Sequence, residues 1–301
     1  MGKSYTYQDV EKAAHNIRKN VLKLTLERNG CYLAQACSSA EILATLYMKV
    51  LHLSKSKAPM QPGLFPGAPS RENMEYLQGA AYHGDLSAGN DRLFISPAHY
   101  AAPVYAALIE CGRLAEDALD KFNTDGYAME MIGANHTPGF ETAAGTLAQA
   151  ISTAGGTAHS RKLKNEDGRV FVFMSDGELQ EGQLWEAIQA LSFYKLDNFV
   201  LFVDVNGQQV EGLTKDVMNI EPIDKRFEAF GAKVITINGH DVKEIKKATT
   251  KGEKDKPLVI LCKTSGTTDI PLLEEKKPYL HFIRLKKGEE YDNFKEFYDK
   301  Y

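Results

Sequence analysis

Short unbroken apolar runs alternate with apolar residues at three- to four-residue spacing along the second half of the chain. Residues 170–174 form one such run, short enough for a strand buried on both faces, and residues 199–203 form another. Between them Leu184, Ile188, Leu191 and Tyr194 recur at helical spacing, on a helix that begins at about Glu178. A strand-helix-strand unit of this kind crosses over right-handedly and keeps its strands parallel, so both carboxyl ends emerge on one sheet edge. The alternation continues with a helix ending over residues 227–230, a strand at 233–237, a helix at 242–249 and a strand at 258–262.

Earlier in the chain, Val10, Ala14, Ile17, Val21 and Leu24 lie along one stripe of a predicted amphipathic helix over residues 7–28. Ser38-Ser39-Ala40-Glu41 offers a capping box to a second helix, from Ala40 to about Leu51, with Ile42, Leu43, Leu46 and Tyr47 facing inward. A short strand follows at 92–96. The expected class is α/β: a mostly parallel central sheet with helices on both faces, as one domain over residues 1–301. Residues 54–90 are rich in Pro, Gly and Ser and predict an irregular insertion, either a lid or partner contact or a plain surface excursion. A C-terminal tail starts at about residue 285.

The carboxyl edge is where ligands bind in open α/β sheets. Asp176 and Asn206 each lie just past a strand end, so the topology brings them together. A carboxylate oxygen and an amide oxygen are hard ligands suited to magnesium or calcium, and magnesium keeps room for waters and phosphates. A helix N-terminus near Glu178 favours an anion, and Gly177 has no side chain to block its close approach. These features together predict a metal-bridged diphosphate.

Apolar residues make up 43% of the chain and the formal charge is -4, so neither sign dominates and nucleic acid is not an expected partner. Cys31, Cys37, Cys111 and Cys262 lack metal-ligand spacing and suit a reducing cytoplasm. No apolar run approaches the roughly 20 residues of a membrane helix, which leaves no membrane in the reading. Met1-Gly2-Lys3-Ser4-Tyr5-Thr6 fits a myristoylation pattern too short to be more than coincidence.

The string Asp176-Gly177-Glu178-Leu179-Gln180-Glu181-Gly182, followed by Trp185-Glu186-Ala187, Asp204-x-Asn206 and Glu211-Gly212, resembles the thiamine diphosphate motif of transketolases. Ser175 stands where that family has Gly. The resemblance runs from about residue 7 to 285 and implies a thiamine diphosphate-binding fold. It implies that Asp176, Asn206 and the main-chain carbonyl of Gln208 hold the metal, magnesium with calcium as the second choice, and that Gly177 admits the diphosphate. Glu181 joins the cofactor-binding set, on the helix that in the family approaches a second active site.

Further segments carry the likeness. Asp91-Arg92 with Ser96 and His99 resembles the family's strand-to-helix histidine, which faces diphosphate and substrate. Thr142 to Ala150 is similar to the loop that holds the cofactor rings: Gly145, Leu147 and Gln149 match, whereas Ala148 and Ala150 replace glycines. His136, before Pro138-Gly139, is a weaker match to an upstream His-Pro. His281, after Tyr279-Leu280, corresponds to a family histidine that returns to the diphosphate. Tyr32 stands where the family has a sugar-contacting histidine, with Ala34 and Gln35 in place of glycines. Tyrosine keeps a hydrogen-bonding tip but is larger and neutral, so it either takes a substrate role or packs under a rearranged loop.

The implied activity is transfer of a two-carbon ketol unit from a ketose to an aldose, with catalytic roles for His99, His281 and Tyr32. The implied partner is a separate C-terminal transketolase subunit carrying the pyrimidine-binding domain, in an α2β2 assembly acting on sugars or sugar phosphates. Two alternatives stand beside it: a subunit of another two-subunit thiamine enzyme of the 2-oxo acid dehydrogenase type, or a non-catalytic regulatory paralogue.

Overall fold

The computed structural model describes residues 4–74, 76–143, 145–210 and 212–301. The myristoylation pattern at Met1-Gly2-Lys3, Ala144 of the ring-holding loop and Glu211 of the motif lie outside the described residues.

Five parallel strands form the central sheet: β1 (Arg92–Ile95), β2 (Val170–Ser175), β3 (Phe199–Val205), β6 (Lys233–Asn238) and β7 (Leu258–Lys263). Their spatial order is β1-β2-β3-β7-β6, and a two-stranded ribbon of β4 (Gln208–Gln209) and β5 (Gly212–Leu213) stands apart. Every residue of β2 and β3 is buried, which is why those segments read as unbroken apolar runs. Side chains alternate between two cores. Phe171, Phe173 and Phe202 enter one with helices α1 (Tyr7–Glu27), α2 (Leu33–Thr45) and α3 (Ala101–Glu110). Val172, Met174, Leu201 and Val203 enter the other with α4 (Ala150–Lys164), α5 (Gly182–Phe193) and, beyond the short α6 (Thr214–Met218), α7 (Ile223–Ala229). Helix α8 (Val242–Ala248) lies on the first face.

Helix α2 corrects the sequence reading. It begins at Leu33 after an N-cap residue, Tyr32, that makes no side-chain cap bond, so Ser38 to Glu41 lie inside the helix and form no capping box. The Ser38 and Ser39 hydroxyls donate back to the Gln35 carbonyl at 3.2 and 2.6 Å. Glu41 instead accepts Arg18 Nη2 on both oxygens at 2.6 and 2.5 Å and pairs with His240 Nδ1 at 2.9 Å. The local cap pattern yields to tertiary burial: every residue of α2 is buried. A capping box does open α1, where Thr6 Oγ1 accepts from the Asp9 amide and the Asp9 carboxylate accepts from the Thr6 amide. Helix α2 passes through a π turn, Leu46–Val50, before the chain straightens at Leu51.

The insertion does not stay on the surface throughout. A 3-10 turn at Gly79–His83 buries Ala80, Tyr82 and His83. His83 bonds the Tyr47 hydroxyl through Nε2 and the Glu141 carboxylate through Nδ1, at 3.0 and 2.8 Å. Tyr194, expected on the inward stripe of α5, is the residue after its last turn and is 49% exposed. The end of the chain forms α9 (Glu289–Lys300), which buries Phe294, and the Tyr301 ring lies 4.2 Å from His15 of α1. Among the described residues no helix is long and apolar enough to cross a membrane.

If Glu41 is a core ion-pair partner, Glu41→Ala removes the buried one of the two carboxylates on Arg18, which keeps only the half-exposed Asp269 at 2.9 Å, and should cost about 2 kcal/mol or more. Loss of a cap residue would cost only about 1 kcal/mol. Urea unfolding of the variant distinguishes the two.

Candidate functional site

The carboxyl ends of β1, β2 and β3 open into a cleft lined by Gln35, His99, Leu147, Gly177, Glu181, Asn206, Gln208 and His281, among others. The register of β2 on β3, with Ser175 opposite Asp204, sets its floor. Asp176, one residue past β2, donates its amide to the Asp204 carbonyl at 3.1 Å and accepts the Gly207 amide on Oδ2 at 2.7 Å. Gly207 has φ of 73°, a left-handed conformation that glycine adopts freely. Asn206 donates through Nδ2 to Asp204 and to the Tyr100 hydroxyl, and its Oδ1 accepts the Gln208 amide. Asp176 and Asn206 thus meet where the strand-helix-strand topology places them.

Asp204 is fully buried beneath them and accepts hydroxyls from Ser38 at 2.5 Å, Tyr100 at 2.8 Å and Thr264. Asp176 is 2% exposed, and among the described residues its Oδ1 has no hydrogen-bond partner. Burial, reinforced by the Asp204 charge, pushes the Asp176 carboxyl up to about 8. Among the described residues no three His, Cys, Asp or Glu side chains cluster as a metal site. The oxygen donors here are instead one carboxylate, one amide and main-chain carbonyls, a set that suits a hard divalent cation.

The helix expected from Glu178 does not begin there. Gly177–Gln180 is a single 3-10 turn, Glu181 is extended and α5 starts at Gly182. The turn carries Glu178 inward, where its carboxylate accepts the Ser175 and Ala148 amides. Sequence reasoning left Glu178 without a role, because a lone Glu in a motif carries no signal of burial. Glu181 is exposed at the cleft rim.

Tyr32, His99 and His281 form one cluster, in which the two histidines line the cleft and the Tyr32 ring packs behind them and on Phe282. Their ring centroids are 5.4 Å apart for Tyr32 and His99, 5.3 Å for Tyr32 and His281, and 4.9 Å for the two histidines. An isolated bridge between Cys31 and Ile283 pins the two segments, with amide-to-carbonyl bonds of 3.1 and 3.0 Å. Burial, then the neighbouring His281, lowers His99 to about 3, so its imidazole is neutral at physiological pH. Burial raises the Tyr32 phenol, which also stays neutral. Gln35, another residue that sequence reasoning left without a role, is 6% exposed and donates Nε2 to the His281 carbonyl at 3.0 Å.

Two matches fall outside this convergence. Gly145 is exposed and is not among the cleft-lining residues, although Leu147 two positions later is. His136 stacks on Phe65 of the insertion, with centroids 4.0 Å apart, and does not line the cleft. The shortened loop before Pro138 ties it to the insertion instead.

An open parallel α/β sheet with a buried carboxyl group, an amide and a glycine turn at adjacent strand ends defines an α/β protein with its ligand site at the carboxyl edge. Residues 84–289 match the family model for transketolase, thiamine diphosphate binding domain. An uncharacterized transketolase family protein of Sinorhizobium fredii is 33% identical over 92% of this chain and 90% of its own length. The chain therefore belongs to the transketolase family. One subunit of an apulose-4-phosphate transketolase from Actinobacillus succinogenes is 29% identical over 95% of this chain and 94% of its own length. The crystal structure of transketolase from Campylobacter jejuni superposes with a TM-score of 0.68 at 28% identity, over 86% of this chain. The chain spans only 38% of that longer protein.

The raised Asp176 carboxyl makes a pH signature. An unfolded aspartate loses its proton near pH 4, whereas the folded one holds it to about 8, so without a divalent cation stability falls as pH rises across that window. Asp176→Asn should flatten this slope, and magnesium should raise Tm more at pH 8 than at pH 5; thermal scans across pH check both. His99 should show no imidazolium transition above pH 4 in histidine-detected NMR.

Proposed function

We propose that this chain is the N-terminal, cofactor-binding subunit of a thiamine diphosphate-dependent transketolase. With a separate C-terminal subunit it would transfer a two-carbon ketol unit from a ketose, phosphorylated or otherwise, to an aldose. The observation that carries this reading is Asp176: a buried carboxylate with an orphaned oxygen, beside a second buried carboxylate and an asparagine at one sheet edge. Such an arrangement is costly without a cation. Asp176, Asn206 and the Gln208 carbonyl would hold magnesium, with calcium as the second choice, and Gly177 would leave room for the diphosphate.

Bound thiamine diphosphate supplies a thiazolium ring that acts as an electron sink for the two-carbon fragment. The chain's own residues supply orientation and hydrogen bonds. His99 is neutral near neutral pH, so its ring can donate a hydrogen bond to a substrate oxygen without carrying charge, and His281 stands beside it. Tyr32 packs its neutral phenol ring against both histidines and would reach the sugar only from behind them. Leu147 forms part of the apolar lining against the cofactor.

The two-subunit reading draws support from the near full-length match to a protein named as one subunit of a transketolase. The partner would bring the pyrimidine-binding domain, in an assembly of two copies of each subunit. Four free cysteines, three of them buried, suit a cytoplasmic setting.

Calorimetric titration of thiamine diphosphate with magnesium into the chain, alone and mixed with its partner subunit, tests the proposal. Binding in the mixture with ketol transfer is the expected result. Asp176→Ala should abolish the magnesium-dependent binding, and an unchanged affinity would sink the reading.

A further inference from the structure

We propose that Glu178 is a positioning residue that clamps the loop at residues 145–149 to the ends of β1 and β2, and so holds the Leu147 wall of the cleft. The inference rests on the thiamine diphosphate reading only for the identity of the ligand.

The Glu178 side chain is fully buried, and among the described residues it makes no salt bridge. A carboxylate withdrawn from water without a counter-ion is stable only if donors surround it. Four do. Oε1 accepts both the amide and the hydroxyl of Ser175 at 3.1 Å, and Oε2 accepts the Ala148 amide at 2.9 Å and the Ser96 hydroxyl. These donors come from three separate segments that all serve the cleft. Ser96 follows β1 and precedes His99, Ser175 precedes Asp176, and Ala148 follows Leu147.

Ala148 supplies an independent sign of the clamp. Its φ is 60°, in the left-handed region where a Cβ is unfavourable, and its side chain is fully buried. A non-glycine residue stays in that conformation only where its surroundings hold it there. The bond from the Ala148 amide to Glu178 is the hold. The same carboxylate gives the Ser175 hydroxyl its partner, so two positions that depart from glycine are tied to one group.

A carboxylate offers acceptors on both oxygens, whereas an amide offers one. In Glu178→Gln the hydroxyls can rotate away, but the two main-chain amides cannot. Whichever way the amide is turned, its NH2 group faces the N–H of Ser175 or of Ala148. Hydrogen-deuterium exchange and cofactor kinetics of the assembled enzyme read the consequence. Exchange at 145–149 should accelerate in Glu178→Gln while β7 and α9 stay protected. The KM for thiamine diphosphate should rise about tenfold or more, with kcat at saturating cofactor held within about threefold. Glu178→Gln with Ala148→Gly covers a failure to fold, because glycine adopts the left-handed conformation without the clamp, and its 145–149 exchange should still exceed wild type. Wild-type exchange in both variants, or faster exchange with an unchanged cofactor KM, overturns the proposal. If the wild-type enzyme itself binds no thiamine diphosphate, the functional reading fails and the exchange comparison alone decides the clamp.

Discussion

Two neighbouring carboxyl groups, Asp176 and Asp204, are buried where β2 and β3 end. Burial of one acid beside another is among the most unfavourable arrangements a fold can hold, and each is tolerated for a different reason. Asp204 is surrounded by hydroxyls from α2, from the turn before α3 and from the segment after β7, so it joins four parts of the chain around its own charge. Asp176 keeps one oxygen without a hydrogen-bond partner among the described residues. The parallel crossover makes this possible. It brings two strand ends to one edge at fixed register, and the rest of the site is built outward from that pair.

The sheet was readable because its physics is local. Strands buried on both faces must be apolar throughout, and the runs at 170–174 and 199–203 mark β2 and β3 to within two residues. The juxtaposition of Asp176 with Asn206 followed from topology without any side-chain information. Helix α2 was misread for the opposite reason. Ser-Ser-Ala-Glu is a sound local signal for a cap, but Ser38 serves Asp204 and Glu41 serves Arg18 and His240, partners remote in sequence. The turn after Asp176 was read as a helix start because helical spacing begins nearby. Only the inward swing of Glu178 shows that a 3-10 turn comes first.

The aromatic wall shows where sequence reasoning reached its limit and what lay beyond it. Tyr32 and His281 come from opposite ends of the chain, and a single backbone bridge at Cys31 and Ile283 joins them. Their resemblance to family positions marked each residue separately, and the residues alone left a packing role and a substrate role for Tyr32 open. The structure places its ring against His99, His281 and Phe282, a packing position that holds the two cleft-lining imidazoles. Gln35 could not have been found this way, because its side chain acts through the main-chain carbonyl of His281.

Two of the departures from the family pattern converge. Ser175 and Ala148 both replace glycines, and both donate to the same Glu178 carboxylate. A glycine can hold a left-handed turn by itself, whereas an alanine requires an outside restraint, so the restraint and the substitution form one device. One fully buried carboxyl with four donors ties the Ala148 amide beside Leu147 to the strand end that carries Asp176. A change at Glu178 therefore reaches the strand end at Asp176 and the cleft wall at Leu147 at once, although Glu178 is itself fully buried.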